Sequence, residues 1–268
     1  MLQNSNKMKK IWLMGGFGNT LFQIMAYNIL VKEGYEVGFK TTLTEKNIIT
    51  SMLKWKIHEP IYLELIRQES IVKSTTVSDL LHLCSLYLSK TLRLNLKSVA
   101  FYDEKNRFSM EYSDNIYGYF QDKSFLAENK KELLELGTNL RNRYACNTDA
   151  TVVHYRRGDS VWARKHERYY TDIKKLLRQE DGQILIVTDS IDEATEFFMD
   201  INNVNIIKSE RAIDDFRHLL SAKKLFCAPS TFSWWAAHCL DDSCEVVIPT
   251  ILIRKLGFYS SQLMLKIV

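Results

Sequence analysis

Residues that break secondary structure are scarce in this sequence. Among 268 residues there are only 3 prolines and 10 glycines, whereas 46% of the residues are hydrophobic. Disordered chains have the opposite balance, because they cannot bury enough apolar surface to offset the entropy that is lost on folding. The composition therefore predicts a folded protein with one large domain or two smaller ones.

Paired cysteines and long apolar runs are also missing. The 5 cysteines are an odd number and form no C-x-x-C pair, which argues against a disulfide framework or a zinc site and favours a reducing compartment. The apolar run near the start, IWLM, is too short for the core of a signal peptide. No segment reaches the roughly 20 apolar residues of a membrane span. We therefore expect a soluble cytoplasmic protein.

A strong excess of one charge is absent. The net charge of +4 and the pI of about 8.6 do not predict nucleic-acid binding, which would require dense basic clusters. They are compatible with an anionic substrate and with peripheral contact at the cytoplasmic face of an inner membrane, whose surface is acidic.

Three sequence signatures of phosphate sites do not occur. No G-x-x-x-x-G-K-[ST] segment is present, which argues against a P-loop kinase or ATPase, and the turn GGFGN (15–19) does not match G-x-G-x-x-G. No Asp-x-Asp triplet occurs that could hold a divalent metal beside a diphosphate. We therefore expect no metal site, and we expect any diphosphate to meet arginine side chains and helix N-termini.

Short apolar segments alternate with helical patterns along most of the chain. They predict strands at residues 10–14, 151–155, 183–189, 204–208, 224–228 and 244–249. Strands separated by helices form parallel βαβ units, so the predicted fold class is α/β, with two Rossmann-type domains facing a shared cleft. We place these domains at residues 1–145 and 146–268, although the stretch 95–145 shows no clear pattern.

A leucine-rich segment predicts a further helix over residues 77–92. Its apolar residues recur at helical spacing and are expected to share one buried face. They are Val77, Leu80, Leu81, Cys84, Leu88 and Leu92.

Three polar clusters follow predicted strands, where ligands bind in open parallel sheets. The first is the turn 15–19, in which Gly16 and Asn19 precede a helix. A glycine-rich turn lets backbone N–H groups approach a phosphate. The alternative is a tight turn in which Asn19 caps the helix.

The second cluster, HYRRGD, places His154, Arg156, Arg157 and Asp159 directly after a strand. Neighbouring guanidinium groups suit phosphate oxygens, which they bind with paired hydrogen bonds. Two alternatives remain open. One is a surface loop with Arg–Asp pairs. The other is an RGD adhesion tripeptide, which would require a secreted protein.

The third cluster is Ser230, Thr231 and Phe232, followed by Trp234 and Trp235. Hydroxyl and N–H groups at a helix start form an anion site, so we favour a binding role for the first two residues. For the tryptophans we favour core packing.

Four segments resemble, in order and spacing, the patterns of α-1,2-fucosyltransferases of glycosyltransferase family eleven, whose bacterial members are the most similar. The family patterns read GGxGNQxFQ, GYxQ, HxRRGD and SSFSWW, and the resemblance covers roughly residues 10 to 240. HxRRGD and SFSWW are specific in combination rather than singly. The segments here are GGFGNTLFQIMAYNIL (15–30), GYFQDKSFL (118–126), VVHYRRGD (152–159) and STFSWWAAHCL (230–240).

The resemblance implies a GT-B-like glycosyltransferase, inverting and independent of metal, with no cofactor. It would transfer L-fucose from GDP-β-L-fucose to the 2-hydroxyl of a terminal galactose, in a surface glycan such as O-antigen. Residues 1–145 would bind the acceptor, a galactose-terminated oligosaccharide or lipid-linked glycan. Residues 146–268 would bind GDP-fucose.

The resemblance also assigns roles to single residues. Arg156 and Arg157 would stabilise the departing diphosphate and are therefore catalytic. Asp159 and Glu167 are the candidate acceptors of the galactose hydroxyl proton because they follow this cluster in the sequence, and neither is favoured over the other. Thr20 and Ser190 depart from the family patterns, which have Gln and Asp there. The donor-binding residues would be Gly16, Asn19, His154, Arg156, Arg157, Asp189, Ser230, Thr231 and Phe232.

Two other hypotheses remain open from the sequence. One is a fucosyltransferase of another linkage, or a related glycosyltransferase that uses another nucleotide sugar. The other is a non-catalytic protein that binds a nucleotide sugar or a glycan.

Overall fold

The computed structural model describes residues 8–47, 50–51, 57–58, 62–72, 77–84, 99–102, 114–146, 150–157, 167–260 and 264–267. The chain forms two compact units, Met1–Asp122 and Lys123–Val268. Within the described residues each unit contains one sheet whose neighbouring strands are all parallel. The predicted α/β class is therefore confirmed.

The first unit has a four-stranded sheet among its described residues, in the order β2-β1-β4-β3. Helix α1 (Phe17–Lys32) follows β1 and is apolar and buried over most of its length, so it lies in the core. Gly34, with a φ of 88°, follows the helix in the left-handed region that glycine tolerates. The strands are β1 (Lys9–Trp12), β2 (Val37–Lys40), β3 (Val99–Tyr102) and β4 (Asn115–Gly118), and a short helix α2 spans Tyr62–Leu65.

The second unit has a six-stranded sheet among its described residues, in the order β10-β9-β8-β5-β6-β7. The chain starts at β5, adds strands on one side, then returns to β8 and adds strands on the other side. This is the strand order of a Rossmann fold. The strands are β5 (Thr151–Tyr155), β6 (Ile184–Thr188), β7 (Val204–Ile207), β8 (Lys224–Phe226), β9 (Glu245–Ile248) and β10 (Met264–Ile267).

Helices connect these strands and cover the sheet with their apolar sides. The side chains of the core are buried on β5, β6 and β8 and on the facing helices. The helices are α3 (Lys123–Glu128), α4 (Lys130–Tyr144), α5 (Glu167–Leu177), α6 (Ile191–Phe198), α7 (Ala212–Leu220), α8 (Thr231–Cys239) and α9 (Thr250–Leu256). Within the described ranges, no helix is long and apolar enough to cross a membrane.

The six strands predicted from the sequence all form, with ends that differ by at most two residues. The first predicted strand, 10–14, becomes Lys9–Trp12, because Leu13 and Met14 already lead into the glycine turn. The stretch 95–145, which gave no pattern, contains β3, β4, α3 and α4.

The predicted buried face of the segment 77–92 is wrong where the structure describes it. Residues 77–84 are helical, but Val77 and Leu81 are each 66% exposed and Cys84 is exposed as well. The inward side instead carries Asp79, whose Oδ1 lies 3.0 Å from the Nζ of Lys40 in a buried ion pair. This pairing decides the orientation of the helix. Leu88 and Leu92 lie outside the described residues.

The structure separates its two units earlier in the chain than the sequence analysis does. Helix α4 belongs with the second unit because it packs closely on α8. A Cβ at Gly137 would lie only 2.8 Å from the carbonyl oxygen of His238, so this contact requires glycine. The units therefore divide between Asp122 and Lys123 rather than after residue 145.

A buried histidine joins α8 to the segment that follows α9. The Nδ1 of His238 lies 2.8 Å from the carbonyl oxygen of Trp234, and its Nε2 accepts the N–H of Tyr259 at 3.2 Å. Trp234 donates from Nε1 to the carbonyl oxygen of Gly257 at 2.8 Å. Burial lowers the pKa of His238 to about 4, so the ring is neutral at neutral pH.

Acid should therefore destabilise the second unit through His238. In the unfolded chain this residue takes up a proton near pH 6.5, whereas in the folded protein it resists until about pH 4. Stability present above pH 6.5 is then lost as the pH falls towards 4, by roughly 3 kcal/mol. Urea unfolding followed by fluorescence at pH 7.5, 5.5 and 4.5 measures this loss.

The variant His238→Gln cannot titrate, so it should lose less stability over the same pH range than the wild type. His218→Gln, which changes a partly exposed histidine on α7, is the control and should keep the wild-type pH dependence. An unchanged pH dependence in His238→Gln would contradict this assignment.

Candidate functional site

The carboxyl ends of β5 and β8 mark the place where the chain changes direction across the second sheet. These strands are hydrogen-bonded neighbours, with Val153 opposite Phe226, although they are the first and fourth strands of the unit. Such a switch point leaves a crevice in which α/β proteins bind ligands. The HYRR segment leaves β5 here and the PSTF segment leaves β8 here.

His154 is a contact point between these two segments. Its buried ring lies against the ring of Phe232, with 5.3 Å between centroids. Burial lowers the pKa of His154 to about 3; the charge of Arg156 adds to this effect and that of Asp189 opposes it. Nδ1 finds no hydrogen-bond partner among the described residues. The imidazole is therefore neutral.

Arg156 is fixed through its backbone. The Tyr170 hydroxyl accepts the Arg156 N–H at 3.2 Å and donates to the Arg156 carbonyl oxygen at 3.3 Å. The side chain is 29% exposed, and its Nε lies 3.9 Å from Oδ2 of Asp189. A fixed backbone with a partly exposed guanidinium suits a group that binds an anion at this edge.

Arg157 has different surroundings, because its guanidinium bridges two carboxylates. Nε donates to Glu193 and Nη2 donates to Glu167, each at 3.0 Å, and the side chain is only 14% exposed. The guanidinium also lies 5.8 Å from the centre of the Tyr155 ring. Although desolvation opposes it, the two hydrogen bonds raise the pKa of Arg157. In this structure the anions that face Arg157 are two side chains of its own unit.

Asp189 connects this loop to the neighbouring strand. It follows β6, and its Oδ1 accepts the backbone N–H of Arg157 at 2.9 Å. The same carboxylate therefore contacts both arginines of the pair, one through its side chain and the other through its backbone. A single acidic residue thus sets the spacing of the loop at the carboxyl edge.

The end of β8 leads into a capped helix. Ser230 is the N-cap residue of α8, and its side-chain oxygen accepts the N–H of Ser233 at 3.4 Å. Thr231 and Phe232 form the first turn, at the positive end of the helix dipole, which attracts anions. Phe232 packs edge-on against Phe216 at 5.3 Å, which holds this turn beside His154.

Trp234 and Trp235 are fully buried, and this confirms that they pack in the core.

The first unit brings together a second pair of segments. The Oδ1 of Asn19 accepts from Nε2 of Gln121 at 2.7 Å, so the GGFGN and GYFQ turns are in contact. Helix α1 has Gly16 as its N-cap residue, so the alternative in which Asn19 caps the helix is not what forms.

The structure describes ten of the eleven residues proposed from the sequence. Eight of them lie at or near the edge formed by the ends of β5, β6 and β8: His154, Arg156, Arg157, Glu167, Asp189, Ser230, Thr231 and Phe232. Gly16 and Asn19 belong to the first unit. Asp159 lies outside the described residues. Within the described ranges, no group of three or more His, Cys, Asp or Glu side chains is placed to hold a metal ion.

Sequence inspection missed four polar residues of these networks: Gln23, Gln121, Tyr170 and Glu193. Each acts through a partner that is remote in the chain. The one available signal was the presence of Gln23 and Gln121 in the segments GGFGNTLFQ and GYFQ.

Two glycosyltransferases of known structure are similar to this chain. Across 97% of this chain and 93% of the other, the structure is similar to the Escherichia coli heptosyltransferase WaaC with ADP, with a TM-score of 0.52 and 10% identity. The fucosyltransferase NodZ from Bradyrhizobium is also similar, with a TM-score of 0.41 and 11% identity over 88% of this chain and 94% of that one. The fold is GT-B-like, with Rossmann-type sheets.

The sequence comparison points to the same class. The chain is 26% identical over 258 residues to an α-1,2-colitosyltransferase of Escherichia coli. The match covers 84% of this chain and 85% of that protein. No protein-family profile matches the chain. Together the fold and this similarity along both chains indicate a glycosyltransferase.

Tyr170→Phe should destabilise the protein, because it removes the hydroxyl that pairs with both backbone groups of Arg156. The residue is buried, so the lost bonds are not replaced by water, and we expect a cost of about 1–2 kcal/mol in urea unfolding. Tyr27→Phe removes a hydroxyl that pairs with Ser70 at 3.4 Å and is the control, with an expected cost below about 0.5 kcal/mol. Equal costs in both variants would contradict the role given to Tyr170.

Proposed function

We propose that this protein is an inverting galactoside α-1,2-fucosyltransferase that transfers L-fucose from GDP-β-L-fucose to the 2-hydroxyl of a terminal galactose. The observation that carries the proposal is the contact of His154 with Phe232. It joins the HYRR and STF segments at one switch point, where a nucleotide diphosphate fits. The acceptor is a galactose-terminated or lipid-linked glycan, such as an O-antigen precursor, at the cytoplasmic face of an inner membrane.

The chemistry follows from where charge develops. When GDP leaves C1 of fucose, negative charge builds on the β-phosphate while the sugar ring becomes positive. Arg156 and the first-turn N–H groups of α8, behind Ser230 and Thr231, supply fixed positive charge for the leaving group. This arrangement fulfils the role that a divalent ion has in other transferases, so the proposed reaction needs no metal and no cofactor.

The two arginines have different roles in this proposal. Arg156 is partly exposed at the edge and binds the phosphate, whereas Arg157 is held between Glu167 and Glu193. Arg157 is then a positioning residue, because its bridge ties the loop after β5 to the starts of α5 and α6. Asp189 fixes the same loop and lies beside the ribose or guanine.

The proton of the galactose hydroxyl needs an acceptor late in the reaction. Glu167 already accepts a hydrogen bond from Arg157, so one of its carboxylate oxygens is engaged. Asp159, which follows the HYRR segment in the chain, is the other candidate base. If the transition state resembles an oxocarbenium ion, little help from a base is required.

A second donor has a specific observation in its favour. The similar Escherichia coli protein, of which 85% is matched by this chain, is an α-1,2-colitosyltransferase. Colitose differs from fucose by the loss of one hydroxyl group. A site that hydrogen-bonds this hydroxyl rejects the deoxy sugar strongly, whereas an apolar site discriminates weakly. GDP-colitose is therefore the alternative donor in the test below.

Incubation with GDP-fucose and galactose-terminated disaccharides should release GDP and give an α-1,2 linkage, read by NMR of the product.

Rates should be retained with excess EDTA, because arginine and helix N–H groups stabilise the diphosphate. A loss of more than about tenfold that Mg²⁺ or Mn²⁺ restores would contradict this role of the arginine. Turnover of GDP-colitose alone would change the donor, and binding without turnover would indicate a non-catalytic protein.

Arg156→Lys should lower kcat and kcat/KM together by about 10²- to 10³-fold, because lysine keeps the charge but loses the planar fork at the phosphate. Arg157→Lys should lower kcat by about tenfold, since one ammonium group replaces a fork that bridges two carboxylates. Steady-state kinetics with circular dichroism as the folding check give both values.

Glu193→Gln separates the two roles. It removes one end of the bridge, so combining it with Arg157→Lys should add little further loss, whereas combining it with Arg156→Lys should multiply the losses. If Arg157→Lys is as damaging as Arg156→Lys while Glu193→Gln is normal, Arg157 binds the phosphate itself.

A further inference from the structure

The turn 118–121 is a conspicuous segment that the proposed mechanism does not use. It follows β4, and β4 is the neighbour of β1 in the first sheet, whose order is β2-β1-β4-β3. The chain moves from β1 to β2 on one side and then places β3 and β4 on the other. The carboxyl ends of β1 and β4 therefore form a switch point of their own, where ligands bind in parallel sheets.

A buried glutamine fixes the geometry of this edge. Gln23 donates from Nε2 to the carbonyl oxygens of Trp12, at 3.2 Å, and of Gly118, at 2.9 Å. Its Oε1 accepts the N–H of Met14 at 3.2 Å. One side chain thus holds the ends of β1 and β4 together, and the turn that follows is built on a rigid base.

The backbone of the turn is strained in a defined way. Phe120 has a φ of 52° although its side chain is bulky and fully buried, and Gly118 has a φ of 156°. A non-glycine residue in this region costs free energy and persists when the surrounding structure requires it, a situation that is common at binding sites. Burying the Phe120 ring turns its neighbours outward.

The outcome is a small neutral surface on this edge. Tyr119 is 38% exposed, although it is an aromatic residue. Partial desolvation of its hydroxyl raises the pKa of that group, which stays protonated. Gln121 lies two residues further along the chain and donates to Asn19 at 2.7 Å. The turn and Asn19 together offer one aromatic ring and two amide groups, all uncharged.

This chemistry suits a sugar rather than a phosphate. A pyranose has an apolar face of C–H groups, which packs on an aromatic ring, and a rim of hydroxyls, which pair with amides that donate and accept. We infer that Tyr119 and Gln121 form the subsite for the acceptor galactose, with Tyr119 under the ring and Gln121 on its hydroxyls. This inference rests on the proposed function and adds the residues that recognise its acceptor.

The test uses saturation-transfer NMR with lactose and other galactose-terminated disaccharides, on the whole protein. Wild type should transfer magnetisation to the galactose protons, and Tyr119→Ala should lose this transfer. Tyr119→Ala should also raise the acceptor KM by about tenfold or more and leave the KM for GDP-fucose unchanged. Val31→Ala removes another exposed apolar side chain of the first unit and should match the wild type.

Gln121→Glu keeps the shape of the side chain but removes the donor that bonds to Asn19. It should raise the acceptor KM as well, with the thermal shift caused by GDP preserved as evidence of an intact fold and donor site. Galactoside binding that survives Tyr119→Ala, or a wild type that binds no galactoside, would overturn the subsite. Loss of binding in Tyr119→Ala in a protein that does not turn over GDP-fucose would overturn the proposed donor and keep the subsite.

Discussion

The parallel pairing of β5 with β8 is the constraint on which the candidate site depends. The two strands are remote in the chain, yet the register of Val153 with Phe226 makes them end at the same edge. Everything that follows each strand is then brought together: the imidazole and guanidinium groups after β5, and the capped helix after β8. A shift of this register by one residue would turn His154 from the core to the opposite face and separate it from Phe232.

The charges of the neighbouring side chains explain why two adjacent arginines are tolerated at this edge. Burial keeps His154 neutral, so it adds no third positive charge. Arg157 is neutralised by Glu167 and Glu193, and the carboxylate of Asp189 lies between the two arginines. The guanidinium of Arg156 is partly exposed to solvent. Neighbouring carboxylates thus offset the repulsion between the two adjacent guanidinium groups.

Sequence patterns predicted the strands of the second unit because a strand buried on both faces is a continuous apolar run, which few other structures produce. They failed for the segment 77–84, where the leucine spacing indicated a buried face. There the buried ion pair of Asp79 with Lys40 outweighs the exposure of Val77 and Leu81. The predicted strand ends indicated which polar residues share the carboxyl edge of the sheet, but no local pattern could show that Glu193, 36 residues from Arg157, bonds to its guanidinium. Side-chain partners are set by tertiary contacts, which periodicity does not encode.

The two units share one arrangement of strands but carry different side chains where those strands end. Each has a switch point between adjacent parallel strands, and each places polar side chains where those strands end. In the second unit these side chains carry charge, and in the first the turn 118–121 offers amides and an aromatic ring. Since the backbone arrangement is shared, the difference between the two proposed ligands rests on the side chains at each edge and not on the fold. The proposed transferase needs both kinds of edge, because its donor would carry a diphosphate and its acceptor hydroxyl groups.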